Sequence, residues 1–200
     1  MADNLQENFT AEESLQLIQS MINKTKENIS ENSFSFLLWG WLAFFTFLGQ
    51  YILKVVFEYR HFYIVALIMF IGIPLTIIYN RKRSRKYART YIGDSMRYLW
   101  LGLGVCFFLL NFLFSSIPQG WLFCYPFFIL LYGLGTFVSG MILKFRPLVI
   151  GGVINWLLAV VAVRFDFDAQ ILFALAAIVI CYIIPGYLIK SKKATDEYAR

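Results

Sequence analysis

The chain opens with a polar stretch through residue 33 and then switches to long apolar runs broken by brief charged or turn-forming stretches. The runs fall at Phe34–Phe57, Phe62–Asn80, Tyr98–Ile117, Trp121–Leu143, Leu148–Val163 and Ala169–Ile189. A helix of about 20 apolar residues matches the ~30 Å hydrocarbon core of a bilayer. The pattern therefore predicts an all-α polytopic membrane protein with six transmembrane helices over residues 34–189. A cytoplasmic segment precedes them at 1–33, and a basic tail follows at 190–200. The stretches 58–61, 118–120 and 164–168 leave room only for tight turns, which pairs the spans into three short-loop hairpins. The fifth run is short for a bilayer and begins with Gly151 and Gly152, a feature shared with the interrupted helices of transporters.

Ahead of the first span, Thr10 and Glu13 form a capping box, and Leu15, Ile18, Ile22 and Ile29 recur at helical spacing with Met21 alongside. Residues 10–31 thus read as an amphipathic helix. Residues 1–33 hold six acids against two bases. Such a helix suits protein contact better than the negative inner leaflet.

Charge supplies the direction of the spans. Fifteen of the eighteen basic residues fall on one side, including Arg81, Lys82, Arg83, Arg85, Lys86, Arg89 and Arg97 after the second span. The other side has Lys54, Arg60 and Arg164. By the positive-inside rule both termini are cytoplasmic. Nine of the twelve acids share the inner side, so topology accounts for the whole net charge of +6. A nucleic-acid partner is not needed to explain it. Tyr51, Tyr59, Tyr63 and Trp121 then mark the outer interface, with Trp39, Trp41, Trp100, Tyr79 and Tyr187 at the inner one.

Composition agrees with the pattern: 60% of residues are apolar and 15% charged, against about 45–50% and 25% in soluble domains. The acidic start lacks the basic n-region of a cleavable signal peptide. Cys106, Cys124 and Cys181 lie in apolar runs without C-x-x-C spacing and read as small buried hydrophobes.

Candidate chemistry is mostly excluded. The mid-membrane positions carry no Asp, Glu, His, Lys or Arg, which disfavours a carboxylate-driven transporter. The one histidine, His61, lies in an external turn, removing bis-histidine haem, H-E-x-x-H zinc and Ser–His schemes together. No phosphate loop is present. The expectation is a protein with no enzymatic activity, cofactor or metal.

Three polar or packing features remain. Gln50, Asn111 and Asn155 lie within spans one, three and five, and with Trp156 they read either as interhelical hydrogen-bonding groups or as the lining of a small polar cavity. Gly135 with Ser139, and Thr136 with Gly140, form small-x-x-x-small pairs for close helix packing, either inside the bundle or against a second copy of the chain. Leu15, Ile18 and Ile22 of the acidic helix, and Arg81, Lys82, Arg83, Arg85, Lys86 and Arg89 of the basic loop, are candidate cytoplasmic contacts. The acidic helix would fold across that loop or pair with its equivalent in a second subunit.

Several stretches carry a resemblance: Gly133-Leu-Gly-Thr-Phe-Val-Ser-Gly140, Lys144-Phe-Arg-Pro-Leu-Val-Ile-Gly-Gly152 and Ile184-Pro-Gly-Tyr187, together with Glu12-Glu-Ser-Leu15 and Phe36-Leu-Leu-Trp-Gly-Trp41. Over nearly its whole length the chain resembles an uncharacterised family of bacterial six-span inner-membrane proteins. The resemblance implies an inner-membrane protein encoded near a transcriptional regulator and transfers no catalytic residue. The sequence thus points first to a membrane component of a regulatory or stress-response system acting through cytoplasmic protein contacts. The alternative is a small oligomeric transporter or channel for an uncharged or lipophilic compound.

Overall fold

The computed structural model describes residues 34, 36–84 and 91–198; the expected helix at 10–31 and part of the basic loop lie outside them. The described residues form helices joined by short turns, with no strand among them. Helix α1 spans Phe36–Val56, ending in a π-helical turn at Ile52–Val56. A 3-10 segment at Phe62–Leu67 leads into α2, Ile68–Ser84. Then come α3 at Tyr91–Ser116, α4 at Cys124–Ile142 and α5 at Arg146–Ala162. The last span comprises α6 at Phe167–Ile178, a π-helical segment at Val179–Ile183 and α7 at Ile184–Tyr198. Five helical stretches are long and apolar enough to cross a bilayer, and α5 is a shorter apolar helix of 17 residues. The protein is a multi-pass membrane protein.

The closest helix pair is α4 with α5, joined through Leu143, Lys144 and Phe145. Lys144 takes a left-handed conformation, φ 51°, and Phe145 N–H then bonds the Gly140 carbonyl at 2.9 Å, which closes the end of α4. Pro147 starts α5, where its fixed φ suits a helix and its missing N–H costs nothing. Along the pair the backbones touch. A Cβ on Gly152 would lie 2.7 Å from Phe137 N and 2.8 Å from Gly133 O, and one on Gly140 would lie 2.7 Å from Val149 N. Lipid is as apolar as leucine, so hydrophobicity does not drive helices together here; close backbone approach through small residues does.

The last span and α1 complete the core. Ile129 of α4, Leu148 of α5, and Ile171 and Ile178 of α6 are fully buried, with Ala43 and Phe47 of α1 beside them. Lys54 near the end of α1 pairs with Asp168 in the first turn of α6. At the opposite end Leu37 packs where Gly186 leaves space. Helices α2 and α3 are peripheral and expose most of their apolar side chains.

Two helices extend beyond the apolar runs of their spans. Helix α2 runs on through Arg81, Lys82 and Arg83 to Ser84, and α3 begins at Tyr91 rather than Tyr98. Much of the basic 81–97 stretch is therefore helix end, not loop. Asp94 in the first turn of α3 complements that helix's dipole. Asp94 also pairs with Arg97 at 3.2 Å. The early start puts Trp100 more than two turns into α3, where it packs edge-on against Phe36 and Tyr182. Trp39 likewise turns inward, against the open side of Gly72.

Candidate functional site in the bundle core

Where α4, α5 and the last span meet, the core turns polar. Thr136 Oγ1 donates to carbonyls of its own helix, 2.9 Å from Tyr132 O and 3.0 Å from Gly133 O, and lies 3.6 Å from Cys181 Sγ. Cys181 in turn donates its S–H to the Gly151 carbonyl at 3.0 Å. One α4 hydroxyl, one α5 carbonyl and one thiol of the last span thus meet in a layer with no charge. Asn155 lies a turn along α5 from Gly151, is 0% exposed, and places neither Oδ1 nor Nδ2 on a protein partner. Ser139 Oγ and Tyr182 OH are buried and unpartnered in the same way.

An aromatic wall flanks this layer. Tyr182 packs edge-on against Tyr132 at 5.6 Å between centroids and against Trp100 at 5.8 Å, with Phe36 tilted against it at 5.7 Å. Toward the Lys54 end a second polar contact links helices directly. Tyr125 OH on α4 donates to Gln50 Oε1 on α1 at 2.9 Å, both residues buried. Beyond it the Lys54 ammonium meets Asp168 and lies 4.2 Å from the Phe167 ring centroid.

The four candidate cavity residues are not gathered into one chamber. Gln50 is spent on Tyr125. Asn111 is exposed on α3, and its Nδ2 donates back to Phe107 O at 2.7 Å. An amide facing lipid satisfies itself on its own helix, since neither water nor another span is there to serve it. Trp156 packs on Phe137 at 5.0 Å and against the open side of Gly133. Asn155 alone stands in the polar junction.

Gly135, Thr136, Ser139 and Gly140 are all buried within the chain. Gly135 faces Leu103 and Trp100 of α3, Thr136 faces Cys181, and Gly140 faces Leu148 and Val149 of α5. The face expected either to pack the bundle or to meet a second copy is filled by this chain's own helices. Among the candidate contacts, Leu15, Ile18, Ile22, Arg85, Lys86 and Arg89 lie outside the described residues; Arg81 is exposed at the end of α2, and Lys82 and Arg83 follow it on the helix backbone.

The sequence reading missed three features. It placed Lys54 among the outer-side charges without a partner, whereas the tertiary partner is Asp168. It treated all three cysteines as buried, but Cys106 is exposed on α3. It gave no weight to Tyr125, Tyr182 or Cys181, whose aromatic or sulfur character looked like ordinary core. A shallow groove along α1, lined by Phe34, Leu38, Trp41 and Phe45 among others, is wholly apolar and offers a ligand no polar handle. No cluster of three or more metal-ligating side chains occurs among the described residues. No family model, curated protein or solved structure matches the chain.

Proposed function

We propose that this protein is a non-enzymatic membrane component of a regulatory or stress-response system, working through protein contacts on the cytoplasmic side. The observation that carries the reading is the distribution of polar chain. In the sequence, acidic residues 1–33, the basic stretch 81–97 and the basic tail all fall on one side of the alternating spans, while the connections assigned to the other side are a few residues each. We take that side as cytoplasmic by the positive-inside rule, with the six spans as three hairpins and the acidic amphipathic helix at 10–31 as the docking element. The resemblance to a bacterial six-span family supports an inner-membrane location.

A second reading, a small transporter or channel for an uncharged or lipophilic compound, draws support from Asn155, because a buried unpartnered amide within a short helix suits a binding site. One capture experiment separates the two. The full-length protein, a form lacking residues 2–30, the double variant Ile18→Asp with Ile22→Asp, and Asn155→Leu are each purified from the native host in mild detergent. The regulatory reading expects a stoichiometric cytoplasmic companion that is lost with the truncation and the double variant and kept with Asn155→Leu. An unchanged set of companions after truncation overturns it.

A further inference from the structure

The backbone of the last span is irregular at the polar junction. In the last span, Ile184 N–H bonds the Val179 carbonyl five residues back. It is therefore withdrawn from the Ile180 carbonyl, its partner in a regular α-helix. Pro185, next along, has no N–H to offer in its place. Ile180 O is left facing α5, where a Cβ built on Gly151 would lie 3.4 Å from it and 3.5 Å from Cys181 Sγ. Those are ordinary contact distances. Gly151 thus differs from Gly152, whose Cβ would collide with backbone, and packing does not demand a glycine there. A space the size of a side-chain carbon stands open beside a carbonyl deprived of its helical donor.

Asn155 lies four residues along α5 from Gly151, a rise of about 6 Å. That is far for a direct bond to the Ile180 carbonyl and well suited to one bridging molecule. Ser139 lies one turn to the other side of Thr136 on α4. From Asn155 to Ser139 the seam is about 10 Å long by helical rise. It holds two side chains with unpartnered buried polar atoms, Asn155 and Ser139, besides the freed carbonyl, and the unpartnered Tyr182 OH belongs to the aromatic wall that flanks it.

We propose that this junction of α4, α5 and the last span is a buried water-binding site, in which water links Asn155 to the Ile180 carbonyl and extends toward Ser139. The donor and acceptor inventory selects the ligand. Asn155 Nδ2 and Tyr182 OH need acceptors, whereas Asn155 Oδ1 and Ile180 O need donors. A bare cation could take the Asn155 and Ile180 oxygens but would leave the Asn155 N–H and Tyr182 O–H groups without an acceptor. An apolar compound leaves every group unpaired. Water donates and accepts in a volume this small, and buried water characteristically makes two to four such bonds. Because the π-helical segment is what frees the carbonyl, the water and the irregular backbone stabilise each other.

Radiolytic labelling tests this, since hydroxyl radicals produced from bound water modify the side chains around it. The sequence carries its own reference: Cys181-Tyr182 lines the junction, and the same dipeptide recurs at Cys124-Tyr125, also buried but with Tyr125 bonded to Gln50. In full-length protein reconstituted in lipid nanodiscs, labelling of Cys181 and Tyr182 is expected to run several-fold faster than that of Cys124 and Tyr125. Gly151→Ala, which fits without a clash and fills the open space, and Asn155→Leu, which removes the amide, should each bring that rate down to the reference. Equal labelling of the two dipeptides in the unmodified protein would overturn the proposal. So would fast labelling at Cys181-Tyr182 that persists in Gly151→Ala, which would mark general solvent entry.

Discussion

The two halves of the bundle solve the same problem in opposite ways. Helices α2 and α3 have 6% and 11% of their apolar windows buried, whereas α4 and the last span each have 44%. All are comparably hydrophobic, so hydrophobicity does not sort them. Small residues in register do: Gly133, Gly140 and Gly152 bring the α4 and α5 backbones into contact, while Gly102 and Gly104 of α3 meet nothing within 4 Å. Polar groups follow the same division. On α3, Asn111, Ser115 and Ser116 all bond carbonyls of their own helix four residues back. In the core, Tyr125 and Cys181 bond across helices, and Asn155 bonds to no protein group. A glycine or an asparagine therefore has meaning here only with its address.

The sharpest way to break this comparison is to place the same bulk at both addresses. Gly152→Leu drives a side chain into the Phe137 and Gly133 backbone and should cost about 3 kcal/mol or more, seen as loss of folded protein in a thermal aggregation assay in detergent. Gly104→Leu adds a side chain to open surface and should be neutral or slightly stabilising by helix propensity. Equal damage at both positions would mean that α3 also packs against something.

The second contrast concerns hydrogen bonds. Tyr125→Phe leaves Gln50 Oε1 buried without its donor and should lower stability by roughly 1–2 kcal/mol in reversible unfolding. Asn111→Leu removes an exposed amide that bonds only its own helix, and the unfolding midpoint should stay in place or rise. The smallest effect is expected at the rim. Lys54 and Asp168 are 28% and 52% exposed, so a double-mutant cycle with Lys54→Met and Asp168→Asn should give a coupling below about 1 kcal/mol. Added salt should reduce it. A larger, salt-independent coupling would show that the pair is shielded and clamps α1 to the last span.

How much of this could be read in advance depended on the kind of signal each residue carries. The uncharged, apolar lengths of the spans are local, and Phe62 or Gly120 announces a boundary wherever it later packs. The start of α3 was read too late because Tyr91-Ile92-Gly93 precedes Asp94 and Arg97, and two charges seemed to end the membrane region. In the fold those charges pair within a helical first turn. Gln50, Asn111 and Asn155 looked alike as amides in apolar runs, and no sequence period says which faces lipid, because a spanning helix is apolar on every side. The freed carbonyl of Ile180 was half visible: Pro185 removes a donor in any helix, but the shift of Ile184 N–H to Val179 follows from how the last span packs against α5.

By itself the sequence determined that this is a helical membrane protein and where its apolar helices lie, and the bias of its charges gives the expected orientation. Those properties are sums over many residues, each interacting with lipid or water and not with a chosen neighbour. Only the tertiary structure decided that α4 and α5 form the packed centre, that Lys54 meets Asp168, and that Asn155 enters a polar junction while Asn111 faces outward. In a bilayer every helix has already satisfied its backbone and its hydrophobicity. What remains to choose partners is the fit of a few small and polar side chains, and that fit exists only between helices.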